Sequence, residues 1–325
     1  MSDDYLFDRS GPPDPDVERL EKLLAPLAHD APLDELRMRR RRRLSWFVLG
    51  IAVAAAAAVA IYIALPTSHA NTCTGTGFEF SAIGGDVTCG GAHVAKGVLP
   101  VGGQLDTGAH EASLKIADIG TAKLGTNTRV RLDRTDPKRH QLTLDRGHLH
   151  ARVVAVPRLF AVATKHTNIV DLGCEYTVDV DASGVGRICV QSGRVELATK
   201  SGAVVVAPLG TCAAILAGQR PGLPLGDGAN TAMQNAVRAY DRGEVGALDT
   251  LLAAAETRDA ITLIALAAID ANPTRVLARL MELSPPPDAE ITVDTALSDP
   301  EKLAAWRTDI IEIWAGLYRP GAKRP

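Results

Sequence analysis

Hydrophobic and polar positions divide the chain into four stretches of different period. Residues 14–30, "DPDVERLEKLLAPLAHD", place Val17, Leu20, Leu24 and Leu27 at helical spacing, with Glu18, Arg19, Glu21 and Lys22 on the other faces. Asp14 is a natural N-cap and Pro15 suits the first turn, so one short amphipathic helix is predicted. The second stretch, Leu44–Leu65, is 22 residues without a charge. As a helix it would be about 33 Å long, enough for a hydrocarbon core of about 30 Å. The third, residues 67–226, alternates in short runs such as "RVRL", "QLTL", "FAVAT", "YTVDV" and "RICV", broken by Gly, Asp, Asn and Pro. Glycines 120, 147, 173, 193 and 210 each fall between two strand-like pieces. "VDASGVGR" predicts a hairpin that sets Tyr176–Val180 beside Arg187–Gln191. The fourth, residues 229–320, returns to helical spacing in short segments separated by Gly or Asn-Pro. Its last helix starts at Asp299-Pro300 and carries Leu303, Trp306, Ile310, Ile313, Trp314 and Leu317 on a broad face.

Charge gives this order a direction. Residues 1–36 hold ten acidic and three basic side chains, a net of −7, within a chain whose total is −3. Arg37, Arg39, Arg40, Arg41, Arg42 and Arg43 then stand directly before the apolar run, and no Lys or Arg follows it until Lys96. Basic residues flanking a span stay on the cytoplasmic side. The six arginines therefore predict a single-pass anchor, N-terminus inside, with most of the chain outside the cytoplasm. Ser68-His69-Ala70 has the small residues of a cleavage site, and a buried soluble helix is a further alternative. The 43 residues ahead of the run and its length favour an uncleaved anchor. No aromatic interleaving or folded basic face accompanies the arginines, so direct nucleic-acid binding is not expected.

All five cysteines (Cys73, Cys89, Cys174, Cys189 and Cys212) lie after the apolar run, as fits an oxidising compartment. Cys73–Cys89, around the Gly-rich "SAIGGD", is the first expected disulfide, and Cys174–Cys212 the second. In the predicted hairpin register Cys189 faces Val178, which argues against its bridging Cys174. An odd count leaves at least one thiol over.

Motifs for chemistry are sparse. His148-x-His150 puts two imidazoles on one strand face, half of a metal site with no third ligand at a recognisable spacing. No G-x-S-x-G, H-E-x-x-H, P-loop or CxxC occurs. No catalytic, cofactor or metal site is expected, and the chain reads as a binding or signalling protein.

The segment "LFAVATKHTNIVDLGCEYTVDVDASGVGRICVQSGRVEL" resembles the core of FecR-like domains. Phe160, Val162 and Thr164 match an F-x-V-x-T strand; Gly173, Tyr176 and Val178 match the turn and strand after it; Val190, Gly193 and Val195 match a V-x-x-G-x-V strand. With "LDTGAHEASLKIADIGTAKLGTNTRVRL" upstream, the resemblance covers roughly residues 84–218. It implies an inner-membrane signal transducer of the anti-sigma type. The arm's Val17, Leu20, Leu24 and Leu27 would contact an extracytoplasmic-function sigma factor, and the periplasmic part would sense an envelope signal through an unidentified periplasmic or outer-membrane protein.

The expected class is α+β. Its parts are a cytoplasmic arm with its arginine collar (1–43), a transmembrane helix (44–65), a linker with a first strand (66–83), an all-β FecR-like domain, either a sandwich or an irregular β-helix (84–226), and a small all-α module (227–325). The rival expectation is a non-catalytic envelope binding or scaffold protein with the same anchor.

Overall fold

The computed structural model describes residues 73–218 and 220–317. The arm, the collar and the expected span at 44–65 lie outside the described residues. None of the described helices is long and apolar enough to cross a membrane.

Alternating side chains build strands from Gly77 to Gly226. In chain order they are β1 (Gly77–Ile83), β2 (Val87–Cys89), β3 (Ala92–Val94), β4 (Lys96–Pro100), β5 (Gln104–Asp106), β6 (Glu111–Ile116), β7 (Gly120–Leu124), β8 (Arg129–Asp136), β9 (Arg139–Val153), β10 (Phe160–Ala163), β11 (Thr167–Asp171), β12 (Glu175–Val180), β13 (Gly186–Ser192), β14 (Arg194–Thr199), β15 (Val204–Pro208), β16 (Thr211–Ile215) and β17 (Leu225–Gly226). One sheet runs β4-β1-β6-β7-β9-β12-β13-β16-β17. The other runs β3-β2-β5-β8-β9-β10-β11-β14-β15. Only β9–β10 is parallel among the described pairings. A β-helix would need parallel coils, so the architecture is a sandwich of two largely antiparallel sheets. β1 pairs with β4 and β6 and so belongs to the sandwich itself.

β9 joins the two sheets. Arg139–Arg146 pairs with β8, and Gly147–Val153 pairs with β7 and β12. The sequence carries the bend: buried side chains fall at His140, Leu142 and Leu144, then slip by one to Leu149, Ala151 and Val153. Gly147 sits at the slip with φ +100°, a conformation that favours a residue without Cβ. Both sheets turn their buried faces to one core that includes Phe78, Leu114, Leu132, Phe160, Tyr176 and Leu197.

The helices are α1 (Thr231–Asp241), α2 (Ala247–Ala254), a 3-10 turn (Thr257–Asp259), α3 (Ala260–Ala267), α4 (Pro273–Leu283), α5 (Val293–Ser298) and α6 (Pro300–Leu317). Asn230 caps α1 by accepting from Met233 N at 2.8 Å, and Pro273 opens α4, as helix-start chemistry prescribes. Every residue of α3 is buried, which makes it the module's central helix. α5 was not expected from the periodicity; Thr292 caps it reciprocally with Thr295. Trp306, Ile310 and Trp314 of α6 face the core as expected, but Ile313 is 58% exposed and Ile311 is buried in its stead.

The helices attach to the sandwich just before β17 and at the turn between β15 and β16. Thr262 Oγ1 donates to Pro224 O at 2.7 Å, and Trp314 Nε1 donates to Leu209 O at 2.7 Å. A Cβ at Gly226 would overlap the Trp314 ring, so the indole lies directly on that backbone.

Candidate functional site

The expected sigma-factor contacts Val17, Leu20, Leu24 and Leu27, and the collar arginines, lie outside the described residues. The described part offers a polar outer face, two disulfides and a cleft.

The outer face belongs to the sheet containing β7, β9, β12 and β13. Its cross-strand register sets Lys123 beside His150, His150 beside Thr177, Thr177 beside Cys189, Cys189 beside Cys212, and Cys212 beside Leu225. His148 and His150 share this face, as the x-spacing dictates. Each is taken up by a carboxylate of β12: His148 Nδ1 lies 2.6 Å from Asp179 Oδ1, and His150 Nε2 lies 2.9 Å from Glu175 Oε1. No group of three or more His, Cys, Asp or Glu able to hold a metal occurs among the described residues. The two imidazoles thus serve cross-strand pairing here.

The cysteines depart from expectation in one pair. Cys73 is bonded to Cys89. Cys212 is bonded to Cys189, and Cys174 is a free buried thiol. The expected Cys174–Cys212 bridge is therefore corrected, and the cause is register. Cys189 lies opposite Thr177, one place from the expected Val178, so its side chain faces outward toward Cys212, while Cys174 points into the core.

Cys174 sits in a buried polar knot. Its Sγ donates to Asp171 Oδ2 at 2.8 Å, and Gly173 N donates to Asp171 Oδ1 at 2.6 Å. Burial pushes the Asp171 carboxyl above its ordinary value despite these donors. Burial, with the Asp171 charge beside it, also holds the Cys174 thiol far above the ordinary thiol range; such a thiol is unreactive. Beside them the Tyr176 hydroxyl is buried with no hydrogen-bond partner. A buried unpaired hydroxyl costs stability. Tyr176→Phe is expected to raise stability by about 1 kcal/mol, measured by guanidinium denaturation; a loss of that size would count against an unpartnered hydroxyl.

An ion network on the other sheet was not anticipated. Asp106 Oδ2 accepts from Arg129 Nη2 at 2.7 Å and from Arg146 Nη2 at 2.8 Å. Burial raises the Asp106 carboxyl, but Arg129, Gly108 N and Arg146 outweigh it and hold the group below its ordinary value. The two arginines lie 23 and 40 positions from Asp106 in sequence, so no local pattern marks them.

In the helical module, a cleft of about 390 Å³ lies between the 3-10 turn with the start of α3 and helix α6. Its walls include Ile261, Ile310, Ile313 and Trp314, with Glu256 and Arg258 paired at the rim. At the end of α1, burial pushes Asp241 up to about 6 from an ordinary 3.8, although Leu223 N and Arg220 favour its charged form. Between those two values the folded state holds the proton that the unfolded state releases, so stability falls as pH rises through the window. Asp241→Asn is expected to remove this fall and to add about 3 kcal/mol at pH 8, with little change at pH 4. Thermal melts of both proteins across that range test it, and parallel pH profiles would refute it.

Comparison with known proteins adds the following. Residues 104–196 match the family described as FecR protein, a stretch from β5 into β14. No curated protein matches. Two crystal structures of a proposed anti-sigma factor from Parabacteroides distasonis, at 1.65 and 2.50 Å resolution, share 14% identity with this chain at a TM-score of 0.34. The matches cover 41% of this chain and 63% and 62% of theirs, so the chain spans less than two thirds of their length. So low a score carries no structural argument.

Proposed function

We propose, from the FecR domain at residues 104–196, that this chain is a single-pass inner-membrane regulator. Its cytoplasmic arm binds an extracytoplasmic-function sigma factor, and its sandwich and helical module read an envelope signal on the periplasmic side. The FecR match is the observation that carries the reading. It is supported by the order along the chain of an acidic amphipathic helix, an arginine collar, an uncharged 22-residue run and a cysteine-bearing body. Charge sidedness supports the orientation, and the paired cysteines suit an oxidising compartment. The arm's apolar stripe cannot bury itself alone, which leaves it for a partner. The described face of the sandwich supplies pairing and packing groups, in keeping with a binding role.

Co-purification of the full-length protein with the sigma factor encoded nearby tests the proposal. Capture is expected for the wild type and is expected to fall by about tenfold or more for Leu20→Asp with Leu24→Asp, since apolar anchors dominate such interfaces. Absence of capture, or capture indifferent to the double substitution, overturns it.

A further inference from the structure

We infer that Cys189–Cys212 is a thiol–disulfide exchange site whose opening releases the helical module's attachment to the sandwich. Three observations carry this. The two cysteines lie directly opposite each other on neighbouring antiparallel strands, on the outward face of the sheet, and both are half-buried. In the other disulfide Cys73 is half-buried too but Cys89 is 1% exposed, so of the two described bridges this is the one with both cysteines within reach of an attacking thiolate. Exchange depends on such access.

The bond also occupies a particular place in the topology. The chain leaves β13, crosses to the other sheet for β14 and β15, and returns as β16. β16 rejoins β13 over four residue pairs, from Gly186↔Ile215 to Cys189↔Cys212. β17 adds only two pairs to β16, one of them Cys212↔Leu225. On either side of Leu225 lie the points the helices hold: Pro224, whose carbonyl accepts from Thr262, and Gly226, beneath Trp314. One covalent bond thus fixes the short hairpin on which α3 and α6 are seated. Thirdly, the remaining thiol does not compete. Cys174 faces the core and is held by Asp171, so the exchange needs an external reductant.

That reductant is a dithiol. One thiolate attacks a cysteine Sγ, forming a mixed disulfide and releasing the other cysteine as a thiolate. The second thiol of the reductant then attacks the mixed disulfide. Two electrons pass to the protein, which ends with two thiols, and the reductant ends as a disulfide. The inference does not depend on sigma-factor binding.

Dithiothreitol titration of the full-length protein in detergent, quenched with iodoacetamide and mapped by mass spectrometry, is the test, with hydrogen exchange followed in parallel. Cys189 and Cys212 are expected to be alkylated roughly tenfold faster than Cys73 and Cys89, as their access predicts. With their alkylation, exchange should rise in residues 211–226, α3 and α6 while β6–β8 stay protected. Equal or reversed order of reduction overturns the exchange site. Selective reduction with unchanged exchange in 211–226 overturns the coupling to the module. Cys189→Ala with Cys212→Ala should reproduce the reduced exchange pattern without dithiothreitol, and a wild-type pattern in that variant counts against the coupling.

Discussion

Gly147→Ala is expected to destabilise the sandwich by roughly 3–5 kcal/mol, against about 1–2 kcal/mol for Gly202→Ala. Both glycines have positive φ, +100° and +87°, so both alanines carry backbone strain. They differ in surroundings. A Cβ at Gly202 meets nothing within 4 Å, whereas at Gly147 it would overlap Cα and Oγ1 of Thr128 and lie 2.7 Å from its Cβ. Thr128 has little freedom to yield. It is fully buried, its N–H donates to Thr107 Oγ1 at 2.9 Å, and its hydroxyl accepts from His148 N at 3.0 Å. Thr107 Oγ1 in turn donates to Gly125 O at 2.8 Å. The overlap would therefore push on the point where β9 passes from one sheet to the other. Guanidinium denaturation of the two variants, followed by far-ultraviolet circular dichroism, separates strain from overlap. Equal losses would mean that Thr128 gives way and that the bend tolerates a side chain.

The same bend shows what the sequence contains. In "HQLTLDRGHLHARV" the apolar positions slip by one across Gly147, and in the structure that slip is the change of sheet. Strand periodicity in 67–226 and helical periodicity after 229 are local signals, and β1–β17 and α1–α4 follow them. The choice between sandwich and β-helix was not local. It depends on which distant strands pair, as β11 with β14 and β13 with β16. α5 leaves no such signal, because six residues are too few to establish a period.

The candidate site was legible in residues but only partly in geometry. His148 and His150 share a face because alternate strand residues must; that Asp179 and Glu175 would take them up depends on the pairing of β9 with β12. The second disulfide was mispaired for a related reason. The tight Asp181–Val185 turn sets the hairpin one residue from the expected register, continuously through Thr177↔Cys189. One residue is the whole difference between the inner and outer face. Helical faces are subject to the same limit: Ile311 and Ile313 exchanged roles in α6, because a helix 18 residues long presents different arcs to α3 and to the sandwich along its length.

Trp306→Ala is expected to cost roughly 3–5 kcal/mol, concentrated in the helical module. Trp306 is the largest of the fully buried side chains among the described residues. It projects from α6 and donates Nε1–H to Ser284 O, the residue that ends α4, at 3.1 Å. Alanine would leave a void that the surrounding helices close only in part, and would strip the donor from a helix-terminal carbonyl. Trp306→Phe keeps most of the volume and loses the hydrogen bond, so about 1–2 kcal/mol is expected for it. Trp314→Ala should fall between the two. The residue is 7% exposed, and its loss removes the bond to Leu209 O together with the packing on Gly226. The readouts are the helical signal at 222 nm during denaturation and hydrogen exchange resolved by segment. For Trp306→Ala, α3, α4 and α6 should open at lower denaturant than the strands. Trp314→Ala should chiefly loosen residues 211–226 and their contact with α3. If all three variants melt together with the sandwich at the wild-type midpoint, these indoles do not hold the module in place.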